Sequence, residues 1–260
     1  MRFLLWSLAA LWLLVNPYVA FAQTVITLLV PGPMGRQLMP QLVAGFESKS
    51  GDKVEITFAQ GSRDSAPWGT KQLVARGEGS DVSIMFSPFP EALASGNVVR
   101  DSATALARIL LGLTVRKGVS KPDISTAAAV KKTLIGAKSI SIVDPAEGSL
   151  GGEAMEVLQE LGIVEEMKLK IKAFESSALA EQAVANDETD LFLGPQVSDK
   201  LGPGVELAGS LPPEVSAPIE AVIFISTRAK DPEAAKALLE YLKSPEAEAA
   251  YKAAGMQPVN

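Results

Sequence analysis

Between residues 58 and 74 the chain reads FAQGSRDSAPWGTKQLV. Gly61, Ser62, Arg63, Asp64 and Ser65 combine a flexible backbone, two short hydroxyls and a guanidinium. Such a loop can hold an anion through oriented N–H groups and a bidentate arginine. It can equally serve as a polar surface connection. The segment PGPMGR at 31–36 offers a similar choice, with Pro33, Met34, Gly35 and Arg36 in the same kind of break. A third candidate is EGSLGG at 147–152, where Ser149, Leu150 and Gly151 precede a helical pattern. There Ser149 could cap the helix, contact a ligand, or do both. The GxxG spacing from Gly148 to Gly151 alone is weak evidence for phosphate binding, and no P-loop or dinucleotide fingerprint appears.

Other chemistry is excluded by composition. The sequence contains no cysteine and no histidine. Disulfides, thiolate nucleophiles, Cys/His zinc sites and histidine general bases are therefore ruled out. Glu147 and Glu153 remain as carboxylates for acid–base work, should the chain be an enzyme. No metal site or cofactor is expected. A net charge of −6 argues against a general nucleic-acid surface.

The elements around these loops favour the ligand reading. TVITLLV at 24–30, KVEITFA at 53–59 and DVSIMFS at 81–87 are predicted strands, and each is followed by a break and a helical pattern. Leu38, Met39, Leu42, Val43 and Phe46 recur at helical spacing, with Pro40 in the first turn. ARILLGLTVRKG at 107–118 reads as one long strand. A second α/β unit follows: helix to about Ile135, strand at 138–144, helix 152–161, strand KLKIKAF, helix SSALAEQAVAND and strand TDLFLG. Alternation of this kind predicts mostly parallel sheets, in which ligands sit at the carboxyl ends of strands. Loops 31–35, 58–69, 145–152, 175–178 and 194–197 all fall there. Near the C-terminus, Asp231 and Ser244 are predicted N-caps, each followed by proline and glutamate.

The first 22 residues order a basic start at Arg2, an apolar run from Phe3 to Val15, Pro17 and then Ala20-Phe21-Ala22. This is the plan of a secretory signal peptide with cleavage expected after Ala22, which places the mature protein in the periplasm. The remaining length, with 47% of all residues hydrophobic, can bury a core of one or two domains.

FESKSGDKVEITFAQGS, DPAEGSLGGEAMEVLQELGI, ELAGSLPPEV and DPEAAKALLEYLKSPEAEAAYKAAG carry a resemblance. Over nearly the whole chain the sequence resembles periplasmic substrate-binding proteins of ABC importers, in the molybdate-binding-protein-like type II group. The resemblance implies two α/β lobes joined by two crossing strands, with residues 23–106 plus 210–260 in one lobe and 107–209 in the other. It implies a monomer that closes on a small anion and delivers it to an inner-membrane ABC permease. It also implies anion contacts at Met34 or its neighbour, at Gly61 or Ser62, at Leu150, at Ser177, and around Gly194, Pro195 and Gln196.

The sequence departs from that pattern where the family places a first-loop serine and a cleft tyrosine. Losing these donors works against a small tetrahedral oxyanion such as molybdate or tungstate. Arg36 or Arg63 could instead clamp a carboxylate, so an organic anion is the expected ligand. A periplasmic enzyme on the same scaffold, and a sensor that reports its bound state to a receptor, are the alternatives.

Overall fold

The β-branched run near the start folds as β1 (Val25–Pro31), from Leu28 to Val30 without exposure to solvent. A computed structural model describes residues 23–31, 34, 38–59, 69–78, 80–145, 150–196 and 201–259. After β1 come α1 (Leu38–Ser50), β2 (Lys53–Ala59), α2 (Thr70–Ala75), β3 (Val82–Phe86), α3 (Pro90–Ala94) and β4 (Thr104–Ile109). The middle of the chain forms β5 (Leu111–Arg116), α4 (Ala127–Gly136), β6 (Ile140–Val143), α5 (Gly151–Glu160), α6 (Val164–Met167) and β7 (Ile171–Phe174). It continues through α7 (Ser177–Ala185), β8 (Leu191–Pro195) and β9 (Val205–Ser210). The chain closes with β10 (Ile219–Ile225), α8 (Pro232–Leu242), α9 (Pro245–Ala253) and β11 (Gln257–Pro258).

These strands make two mixed sheets. One has the order β11-β4-β10-β3-β1-β2 and the other β7-β6-β8-β5-β9. In the first, β1 pairs in parallel with both β2 and β3, and β10 is inserted antiparallel between β3 and β4. In the second, β6 is parallel to β7 and β8, and β5 runs against β8 and β9. The expected mostly parallel sheets are thus mixed: β10 and β11 run reversed in the first sheet and β5 in the second, because the strands that cross between the sheets and return enter against the parallel ones. The carboxyl ends of β1, β2 and β3 share one edge of the first sheet, and those of β6, β7 and β8 share one edge of the second.

Two local predictions change, and one strand was not predicted. Residues 107–118 are not one strand: β4 ends at Ile109 in the first sheet and β5 begins at Leu111 in the second. An unbroken apolar run carries no sign of that switch, because both sheets bury it. The strand predicted at 168–174 shortens to β7, since residues ahead of it turn through α6. The segment quoted as ELAGS supplies a strand, β9, beside β5.

The predicted caps at the C-terminal end are present. Asp231 accepts a hydrogen bond from the Ala234 amide at 3.0 Å, and the Ser244 hydroxyl accepts one from Ala247 at 3.3 Å. Both helices return to α1. Tyr241 packs against Phe46 with ring centroids 5.7 Å apart, and Lys49 pairs with Glu246. Gly45 is required at this seam, because a Cβ there would lie 2.2 Å from the Tyr241 oxygen.

Candidate functional site

The predicted site residues divide into those the structure describes and those it does not. Pro33, Gly35, Arg36, Gly61, Ser62, Arg63 and Ser149 lie outside the described residues, as do Glu147 and the signal segment. Met34 and Leu150 lie within them. Both side chains are buried in the hydrophobic core, at 1% and 3% exposure. What these two positions can offer a ligand is backbone rather than side chain. Gly151 opens α5, whose N-cap position is occupied by Leu150 without a side-chain cap. The stripe beneath it is the predicted one: Ala154, Val157, Leu158 and Leu161 are all buried. Gly162 follows in the left-handed region at φ 62°.

Ser177 is the first residue of α7 and is half-buried, but the capping belongs to its neighbour. Ser176 accepts from the Leu179 amide at 3.4 Å.

The end of β8 is committed to its own sheet. Gly194 has no room for a side chain, because a Cβ would lie 2.1 Å from the Phe192 ring. Pro195 is buried at the strand end. The Gln196 amide donates to the Gly209 carbonyl at 3.1 Å and accepts from the Ser210 hydroxyl at 3.1 Å. Its backbone N–H donates to Leu110, the residue between β4 and β5, at 2.8 Å. Gly112 must remain a glycine for this, since a Cβ there would meet the Gln196 side-chain nitrogen at 1.8 Å. Gln196 therefore ties the crossing to β9, through its backbone N–H at Leu110 and both ends of its side-chain amide at Gly209 and Ser210.

An electrostatic influence that the sequence did not signal reaches across the two halves. α2 packs on β1 and β3 of the first sheet, whereas α5 packs on β6 and β8 of the second. Lys71 of α2 is only 8% exposed and acts electrostatically on Glu153, in the first turn of α5. Burial pushes the Glu153 carboxyl up to about 7, neighbouring Glu156 adds to the rise, and Lys71 opposes it. Beside Lys71, the Thr70 hydroxyl and the Gln72 side-chain carbonyl are buried without a hydrogen-bond partner. Thr70 itself is 2% exposed.

A cation at the start of a helix opposes the helix dipole. That was the one available hint at Lys71, and hydrophobic periodicity does not register it. Glu153 stood in the sequence only as one of two possible acid–base carboxylates.

A separate cavity of about 460 Å³ opens on the second sheet's side, lined by residues that include Val115, Asp123, Lys132, Thr133 and Asp190. It lies toward the amino end of β8, away from the loops that follow the parallel strands. Among the described residues, no group of three His, Cys, Asp or Glu side chains could hold a metal ion. No helix among them is long and apolar enough to cross a membrane.

Comparison with known proteins fits this architecture. The model of the bacterial extracellular solute-binding protein family matches residues 26–257. The chain is 31% identical over 257 residues to an aconitate isomerase of a Pseudomonas species, covering 97% of this chain and 95% of that protein. It is 36% identical over 132 residues to the molybdate-binding protein ModA of Azotobacter vinelandii, which spans 49% of this chain and 51% of that one. Among solved structures, the substrate-binding domain of a putative molybdenum ABC transporter from Clostridium difficile superposes with a TM-score of 0.73 at 16% identity. That superposition covers 92% of this chain and all of that domain (100%). With its two mixed sheets, the inserted reversed strands and this match from β1 to β11, the chain belongs to the bacterial extracellular solute-binding proteins, as a ModA-like type II periplasmic binding protein.

Proposed function

We propose that this chain is an extracytoplasmic receptor for an organic polycarboxylate of the aconitate class, bound between its two sheets and passed to an ABC permease. The observation that carries this reading is the electrostatic influence of Lys71, on a helix of the first sheet, upon Glu153, on a helix of the second. It sets an ammonium and a carboxyl of raised titration on helices that follow β2 and β6, one parallel strand from each sheet. A tetrahedral metal oxyanion is served by neutral donors, whereas a flexible carboxylate is served by a cation. The relative named aconitate isomerase, similar over nearly its whole length, points to the same class of compound. In this reading the lobes are residues 23–106 plus 210–260 and residues 107–209, and the signal peptide is removed after Ala22. Backbone at Met34, Leu150 and Gly151, together with Arg36, Gly61, Ser62, Arg63 and Ser177, lines the site.

A second reading is favoured by the near-neutral Glu153. Interconverting the two aconitate isomers moves one proton from the methylene carbon to the vinylic carbon as the double bond shifts. A carboxyl that titrates near neutrality can both take and return that proton.

The deciding experiment is a thermal-shift panel of cis-aconitate, trans-aconitate, citrate, molybdate, tungstate and sulfate, followed by proton NMR of cis-aconitate with the protein. Stabilisation by the tricarboxylates without loss of the cis signals supports the receptor. Conversion of cis to trans supports the isomerase. Stabilisation by molybdate alone overturns both.

A further inference from the structure

The strands of the first sheet that lead to and from the second, β4 and β10, carry an ion pair outside the site described so far. Arg108 and Glu220 stand directly opposite one another in the antiparallel register. The Arg108 Nε donates to the Glu220 carboxylate at 3.2 Å. The pair lies at the carboxyl end of β3. There the Ser87 amide donates to the Glu220 carbonyl at 2.9 Å, and the Glu220 amide donates to the Ser87 hydroxyl at 3.1 Å. One residue beyond Arg108, β4 ends and the chain passes to the second sheet.

Strand alternation fixes the face on which the pair stands. Ala107 and Ile109, on either side of Arg108, enter the main core, as do Ile219 and Ala221 on either side of Glu220. Arg108 and Glu220 therefore point to the opposite face, where Val222 and Phe224 pack in one cluster with Val74 of α2 and Ala92 of α3. At the strand ends this face opens to solvent, and both side chains keep 39% of their exposure.

A salt bridge so exposed contributes little to stability. It also occupies only one of the five N–H groups of the guanidinium. Among the described residues, the bond at Nε is the one hydrogen bond that the Arg108 side chain makes. The opposite edge, Nη1 and Nη2, is the edge on which arginine takes a carboxylate through two parallel bonds. Glu220, held at Nε, leaves that edge open.

We propose that the Nη1–Nη2 edge of Arg108 takes a carboxylate of the ligand end-on, beside the crossing between the sheets. This rests on the polycarboxylate reading above and adds the residue that reads the carboxylate. The guanidinium then lies between two carboxylates on different edges, one belonging to the chain and one to the cargo. Such a contact strengthens as water is withdrawn and weakens as water returns, which suits a grip that must also let go.

The test uses the mature protein and two probes, cis-aconitate and trans-aconitate, by isothermal titration calorimetry. Arg108→Ala should weaken binding by about thirtyfold, and Arg108→Lys, which keeps the charge without the fork, should recover only part of that. Methylguanidinium added to Arg108→Ala should restore affinity and should leave the wild type unchanged, a rescue that a purely structural role does not give. Without ligand, the variants should melt close to the wild type. Nitrogen-15 NMR of the wild-type arginine side chains supplies a variant-free readout: the Arg108 Nη signals should shift and sharpen as ligand is added.

Unchanged affinity in Arg108→Ala, or Arg108 Nη signals that stay in place at saturation, overturns the contact and leaves the polycarboxylate reading standing. Failure of the wild type to bind either isomer overturns both.

Discussion

Asp81, at the entry to β3, and Glu153, in the first turn of α5, are carboxylates withdrawn from water and treated in opposite ways. Asp81 is 6% exposed and lies at the amino end of its strand. Burial alone would push its carboxyl up, but it accepts from the Thr27 amide at 2.8 Å, the Thr27 hydroxyl at 2.7 Å and the Lys230 amide at 2.9 Å. Those bonds prevail and hold it below its ordinary value of 3.8. Glu153 lies on the other side of the fold, among the loops at the carboxyl ends, and burial with Glu156 raises it to about 7. The difference is one of supply. Where the chain surrounds a carboxylate with fixed donors, it serves as a structural tie, here joining β1, β3 and the approach to α8. Where the chain withholds them, the group keeps a proton in play.

The largest effect expected from breaking this comparison is at Asp81. Asp81→Ala leaves the partly buried Thr27 and Lys230 amides without their acceptor and should cost about 2 kcal/mol of stability by chemical denaturation. Because its folded value is depressed, Asp81 contributes stability that is present above pH 3.8 and lost as pH falls through the lower folded value. The variant should lack that acid-side slope. A loss under about 0.5 kcal/mol would remove the structural role.

Glu153 should behave in the reverse sense. A carboxyl raised in the folded state contributes stability that is present below its ordinary value of 4.5 and lost as pH rises through about 7. Glu153→Gln should therefore match the wild type near pH 4.5 and exceed it at pH 8. With the group still partly in contact with water, the gain should be about 1 kcal/mol. Parallel melting curves at the two pH values decide it, and an identical pH dependence in both proteins refutes the assignment.

The smallest effect sharpens the cause. Glu156→Gln removes the neighbouring charge and leaves burial in place, so the Glu153 midpoint followed by carbon-13 NMR should drop by a fraction of a pH unit and stay well above 4.5. A fall all the way to the ordinary value would make Glu156, and not burial, the dominant cause.

Much of the scaffold was legible in the residues because single elements dictate it. The β-branched runs at β1 and β3, the helical spacing of α1 and α5 and the caps at Asp231 and Ser244 each act over a few positions. The switch at Leu110 was not legible, because residues on both sides are equally apolar and only pairing with different partners separates them. The candidate site shows the same limit. Its loops could be placed at strand ends from alternation alone. The electrostatic influence of Lys71 on Glu153 could not, because the two lie some eighty positions apart in the chain on helices that pack against different sheets. Gln196 was placed correctly at a strand end, yet its bonds to Gly209 and Ser210 depend on β9, which the sequence did not announce as a strand.

The handover at Leu110 limits how the molecule can breathe. One residue separates Ile109 in one sheet from Leu111 in the other, and the return path, Leu211 to Pro218, includes Pro212, Pro213 and Pro218. Proline fixes one of its two backbone torsions. Proline removes three torsions from the return path and Leu110 alone spans the outward one, so a change in angle between the halves is expected as a swing about this place rather than a slide. Gln196, anchored to Leu110 by its backbone and to β9 by its side chain, sits at that axis like the pin of a door.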